Sequence, residues 1–221
     1  MSKKKPFTVD DAYALETPAD STQLYGVWAE TYDEDFVAAS GYVVYRRVVE
    51  QLLKHRNAIN GPVLDIGCGT GIVGVGLHAG GLKLIDGIDI SPEMLEVSRK
   101  KRAADGDLVY RNLIAADLTA KVDLADDQYA ALISAGTFTH GHLGSQSLDE
   151  MWRVAAPGAW CAIGVRTTHF TAAKFDEKLA MDVADEVITE PDLVEAHMYM
   201  PSVGDAEHAN DKAFIIVCQV L

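Results

Sequence analysis

Apolar positions recur at intervals of three and four through the first quarter of the chain: Tyr25, Trp28, Tyr32 and Phe36, then Tyr42, Tyr45, Val49 and Leu52. This spacing predicts two amphipathic helices. The first would be capped by Ser21 or Thr22, and the second would run to about His55 before Asn60-Gly61-Pro62 ends it. The pattern then changes to short apolar runs separated by helical text. Residues 62–66, 82–89, 108–114, 129–135 and 160–166 read as five buried strands. Helices are expected over 71–78, from Ser91 onward, where Pro92 and Glu93 mark a helix start, and over 148–154. Strands alternating with helices predict parallel βαβ units and a doubly wound sheet with helices on both faces. The rhythm breaks at the end. Phe175, Leu179, Val183 and Val187 mark a helix within 171–188, Val194 to Met200 alternate as a strand, and 213–221 form a continuous apolar run. With no crossover helix between them, the last two strands must pair antiparallel. The expected fold is α/β: a seven-stranded, mostly parallel sheet with an antiparallel C-terminal strand and an N-terminal helical lid. Residues 1–60 would form an arm and lid, and residues 61–221 the sheet domain, within one globular unit.

Composition narrows the class of partner. Of 221 residues, 33 are acidic and 19 basic, giving a formal charge of −14 that disfavours nucleic-acid backbones and anionic membranes. Lys3, Lys4 and Lys5 are followed by no apolar segment, and no run approaches the length of a membrane helix, so a cytoplasmic protein is expected. Cys68, Cys161 and Cys218 are widely spaced and suggest neither a disulfide framework nor a zinc site.

Candidate chemistry gathers at PVLDIGCGTG (62–71). A strand ends there in alternating Gly67, Gly69 and Gly71, a turn of bare backbone opening onto a helix N-terminus that attracts anions. Gly69 to Gly74 is a literal G-x-G-x-x-G with Asp89 following Gly69 by 20 residues, the spacing of a dinucleotide fingerprint. Three features point elsewhere. Asp65 sits inside the strand, where a pyrophosphate would be repelled and an ammonium welcomed. The sheet begins only after about sixty residues of helical text and ends in a hairpin. Asp117 adds another strand-end acid, suited to accept from an amino group.

VLDIGCGTG, GIDISPEML and AADL together resemble the three ligand-binding motifs of class I S-adenosylmethionine-dependent methyltransferases, over roughly residues 61–166. Within that class, Trp28, Ala29, Tyr32 and Asp33 of a W-A-x-x-Y-D run, with the HGH at 140–142, resemble the small branch containing the Williams–Beuren-region methyltransferase-like proteins. The resemblance implies a Rossmann-like domain with S-adenosylmethionine as cofactor. It would set Gly67 and Gly69 against the methionyl part, Asp65 toward its ammonium, and Asp89 on the ribose hydroxyls. Ile90 and Leu118 would enclose the adenine, with Met94 near, Asp117 on the exocyclic amine and Ser134 beside the site. Tyr25, Trp28 and Tyr32 would close it, Tyr32 toward the carboxylate. From the spacing alone, that aromatic face is equally a plain core helix.

For the transfer itself, the loop 134–144 follows the fourth strand, where open α/β sheets bind ligands, and its His140 and His142 are the candidate general bases. Each also reads as an anchor or a capping group. His169 is a further candidate, and no third ligand signals a metal. The run N-P-P-[YF] is absent and no recognition domain is added, which leaves a small molecule as the expected acceptor. The oligomeric state is not legible. Two rival functions remain: a nicotinamide-dependent oxidoreductase, and a protein that binds S-adenosylmethionine without transferring methyl groups.

Overall fold

The computed structural model describes residues 11, 14, 15, 17–139, 143–200 and 208–221. Helix α1 spans Pro18–Trp28, a π-helical segment follows at Asp33–Ala38, and α2 spans Val44–Leu53. The single aromatic helix expected from the spacing is therefore two pieces joined by a turn. Its cap is Thr17 rather than Ser21 or Thr22: the Thr17 hydroxyl accepts from the Asp20 N–H, and the Asp20 carboxylate accepts from the Thr17 N–H. That reciprocal pair starts the helix four residues earlier than the apolar pattern indicates.

The sheet contains β1 Val63–Ile66, β2 Ile85–Asp89, β3 Asn112–Ala115, β4 Tyr129–Phe138, β5 Ala155–Arg166, β6 Asp192–His197 and β7 Lys212–Gln219. Its order is β3-β2-β1-β4-β5-β7-β6, and only β7 runs against its neighbours. The connecting helices are α3 Ile72–Ala79, α4 Pro92–Lys100, α5 Leu148–Val154, α6 Thr167–Ala172 and α7 Phe175–Ala184. The fold class read from the periodicity is the one observed. Several boundaries differ: β5 starts at Ala155, five residues before the expected 160, β4 runs to Phe138 rather than 135, and β6 covers Asp192–His197 rather than 194–200. The expected strand over 108–114 begins only at Asn112, because Val109 and Tyr110 turn inward and are buried beneath α3. The expected helix at 171–188 is interrupted at Ala173 and Lys174, the latter at φ 54°.

Alternation along the strands divides the core between the two faces. Val63, Ile85, Ile133 and Ile215 pack with Val48 and Leu52 of α2 on one side. Leu64, Ile88, Leu132 and Ile216 pack with Trp152, Phe175 and Leu179 on the other. The strand order reverses between β1 and β4, so a crevice opens at the C-terminal ends of β1, β2 and β4.

Candidate functional site

The turn after β1 is set by backbone that side chains would obstruct. Gly67, Gly69 and Gly71 take φ of 65°, 51° and 92°. A Cβ on Gly67 would lie 1.9 Å from Thr137 Oγ1, whereas one on Gly69 would meet nothing within 4 Å, because that face borders open space. Gly67 and Cys68 N–H donate to the Ile88 carbonyl at 2.8 and 3.1 Å, which ties the turn to β2. The Ser98 hydroxyl of α4 donates to the Gly69 carbonyl at 2.6 Å. Gly71 caps α3 without any side-chain acceptor, so the first N–H groups of that helix have no capping partner of this kind.

Asp89 at the end of β2 is held by two backbone donors: Gly69 N–H reaches Oδ2 at 2.8 Å and Ser91 N–H reaches Oδ1 at 2.9 Å. Burial raises its pKa, and the Ser91, Gly69 and Ile90 amides pull it back. The carboxylate is thus oriented by the backbone around it. Asp117 is exposed, and its Oδ1 accepts from the N–H and hydroxyl of Thr119 at 2.8 and 2.6 Å.

These groups border one cavity of about 920 Å³, counting the part open to solvent, within the range of ligand-binding sites. Gly67, Gly69, Asp89, Ile90, Met94, Asp117 and Leu118 lie on its wall, as do Tyr25 and Tyr32. Trp28 does not. It is fully buried, with its ring against Tyr32 at 5.1 Å and Phe36 at 5.2 Å. The aromatic face divides: Trp28 and Phe36 are core, while Tyr25 and Tyr32 border the cavity. Burial holds the Tyr32 phenol well above its usual pKa, so it is a neutral donor.

Asp65 and Ser134 also lie off the wall. The Ser134 hydroxyl donates to the Ile66 carbonyl at 2.8 Å and is fully buried. Asp65 lies beneath the glycine turn, with Oδ2 accepting from the Tyr110 hydroxyl at 2.6 Å and Oδ1 buried without a hydrogen-bond partner. Burial raises its pKa to about 7, against the Tyr110 hydroxyl and the nearby Gly74 backbone, which lower it; Asp89 adds to the rise. His140 and His142 fall outside the described residues. His169 engages the Leu143 carbonyl through Nε2 at 2.8 Å and is not on the wall.

The cavity also takes residues that the spacing did not single out: Tyr42, Cys68, Thr70, Thr137 and Leu143. Tyr42 carried a signal, since it heads the second aromatic run, but its phenol leaves the helical face and rests over Gly136, where a Cβ would lie 2.7 Å from the Tyr42 oxygen. Among the described residues the charged side chains on the wall are Asp89 and Asp117, both acidic. The site therefore suits a ligand that is cationic in part, with hydroxyl or amino donors for two carboxylates and a flat apolar portion between Ile90, Met94 and Leu118.

A family model described as a methyltransferase domain matches residues 63–158. The chain is 30% identical over 162 residues to methyltransferase-like protein 27 of Homo sapiens, a match covering 71% of this chain and 62% of that protein. It is 30% identical over 142 residues to methyltransferase GfsG of Streptomyces halstedii, covering 63% of this chain and 49% of that one. The chain thus spans less than two thirds of the length of these curated relatives. Its fold is shared with a SAM-dependent methyltransferase from Aquifex aeolicus at a TM-score of 0.58 and 17% identity, over 89% of this chain and 98% of that one.

Proposed function

This chain belongs to the class I S-adenosylmethionine-dependent methyltransferases, and from that premise we propose that it transfers a methyl group from S-adenosylmethionine to a small-molecule acceptor. The observation that carries the reading is the charge of the cavity. Its wall bears Asp89, fixed by two backbone N–H groups, and Asp117, with no lysine or arginine among the described residues. A pyrophosphate would face two carboxylates there without a counter-charge, which weighs against a nicotinamide dinucleotide. A sulfonium and an ammonium fit the same wall.

The cavity suits the donor group by group. Asp89 would accept from the ribose hydroxyls and Asp117 from the adenine amine, with Ile90, Leu118 and Met94 against the ring. The open face of Gly69 and the uncapped start of α3 suit the amino-acid tail, with the Tyr32 hydroxyl as a further donor toward its carboxylate. Asp65 acts from below the turn rather than on the ligand.

When bound, S-adenosylmethionine supplies an electrophilic methyl on a sulfur that leaves as a neutral thioether, so no protein acid is needed. The chain's own task is to hold, align and keep dry. Tyr25, Tyr32 and Tyr42 roof the cavity and Thr137 and Leu143 line the β4 side, where the acceptor would lie. An acceptor that must lose a proton would find its base in His140 or His142, on the strength of their place in the sequence alone.

Calorimetric titration with S-adenosylmethionine and with NAD, followed by incubation with labelled donor and a metabolite extract, tests this reading. S-adenosylmethionine should bind and NAD should not, and label should pass to an extract component. Asp89→Ala should weaken donor binding on the order of 100-fold, from two charge-assisted hydrogen bonds. His142→Ala should keep donor affinity and lose turnover. Donor binding without any transfer would favour a binding protein, and unchanged affinity in Asp89→Ala would refute the ribose assignment.

A further inference from the structure

Resting on the reading that the cavity holds the methyl donor, we propose that Asp33 is a positioning residue that latches the aromatic lid onto the glycine turn and sets how fast donor and demethylated product leave. Within the W-A-x-x-Y-D run, Trp28 and Ala29 are core and Tyr32 faces the cavity, which leaves Asp33 as the charged member without a task in the donor site. Its two oxygens bind two different parts of the sheet domain. The Thr70 hydroxyl donates to Oδ1 at 2.5 Å, and the Lys101 ammonium donates to Oδ2 at 2.5 Å. Thr70 is 2% exposed and belongs to the glycine turn that forms the cavity wall. Lys101 is the C-cap of α4, whose first turn carries Met94 on the same wall.

Position gives this bond leverage. Asp33 directly follows Tyr32, so fixing it fixes a phenol over the cavity. It also opens the π-helical segment Asp33–Ala38, a form of helix often found at functional sites. Downstream, besides the core packing of Trp28 and Phe36, backbone bonds fasten the lid: Val43 N–H donates to the Met198 carbonyl and Met200 N–H to the Gly41 carbonyl, each at 2.8 Å. Gly41, at φ 68°, is a natural pivot beside that fastening. A local opening of the Tyr32–Asp33 turn, which leaves Trp28 and Phe36 packed in the core, frees a ligand beneath Tyr32 and parts Asp33 from both Thr70 and Lys101. The Asp33 and Lys101 side chains retain 36% and 22% exposure, so water can replace the bond when it opens.

The full-length protein is loaded with labelled S-adenosylmethionine, or with S-adenosylhomocysteine, and release is timed after a chase of unlabelled compound. Asp33→Asn keeps an acceptor for Thr70 but removes the charge facing Lys101. It should speed release about tenfold, the size of one charge-assisted hydrogen bond, with association little changed. Lys101→Met should act in the same direction, and the double variant should add nothing beyond the stronger single change. Chymotrypsin should cut the lid faster in both variants while the thermal midpoint stays put. If Asp33→Asn does not fold, Lys101→Met carries the same test. Release at the wild-type rate in a folded variant, or additive effects in the double variant, overturns the latch alone. Failure of the wild type to bind either compound overturns the donor reading instead.

Discussion

Two carboxylates are buried in neighbouring strands, on opposite faces of the sheet, and they are treated differently. Asp86 receives Arg111 in a two-point contact at 3.0 and 2.7 Å, together with Asn112 and Tyr129. Asp65 has Tyr110 on one oxygen and no partner on the other. A buried carboxyl with half its hydrogen bonds costs least when protonated, which is why its pKa stands near 7. Since the unfolded value is about 3.9, the folded state takes up a proton between the two. Stability must therefore fall as pH rises from about 4 to about 7 and level off above. Against Asp65→Asn, whose amide does not titrate, wild type should lose thermal stability across that window, read by melting scans. Tyr110→Phe removes a donor to the charged form and should push the midpoint higher. Parallel curves for wild type and Asp65→Asn would refute the assignment. Asp89 was legible beforehand because strand ending, glycine spacing and a following helix start coincide there. Tyr110 was not: within an apolar run an inward-turned tyrosine looks like any strand residue.

At the scale of elements, the G-x-G-x-x-G that mimics a dinucleotide fingerprint has a packing cause. Helix α3 lies between α2 and the 109–110 segment, and its glycines are where it is closest to both. A Cβ on Gly74 would sit 2.5 Å from the Tyr110 oxygen and 2.7 Å from Val109 Cγ1. A Cβ on Gly76 would stand 3.2 Å from Val49 Cγ1, a contact that a small shift absorbs. Alanine improves a helix interior by about 1 kcal/mol over glycine, while overpacking a core costs about 1–3 kcal/mol. Gly74→Ala should therefore destabilise by up to about 2 kcal/mol in chemical denaturation, and Gly76→Ala should be neutral or slightly stabilising. Equal effects would mean the two glycines have the same cause. Helix existence was legible here from apolar content. The split of the lid into α1 and a π-helical segment was not, because a spacing of three and four fits one helix and two short ones alike, and only the Thr17 cap and the Asp33 contacts decide between them.

For the whole molecule, topology followed from periodicity because each strand and helix carries its own repeat, and the hairpin end follows from the missing crossover. The identity of the acceptor did not follow, since the β4 side of the cavity joins Tyr42 from the N-terminal part of the chain to Thr137 and Leu143 of the 134–144 segment, and these residues carry no shared motif. Charge, by contrast, acts globally and is readable at both levels. A chain of formal charge −14 whose cavity wall carries Asp89 and Asp117 attracts cations from a distance. S-adenosylmethionine carries one net positive charge, and S-adenosylhomocysteine, alike in shape, carries none. Their affinities should therefore respond differently to salt. Between about 0.01 and 1 M, where the screening length drops from about 30 to about 3 Å, the dissociation constant for S-adenosylmethionine should rise several-fold, mostly through slower association. That for S-adenosylhomocysteine should hold nearly constant. Equal salt dependence for the two would show that the acidic field of the protein does not reach the sulfonium, and that discrimination rests on contacts within the cavity alone.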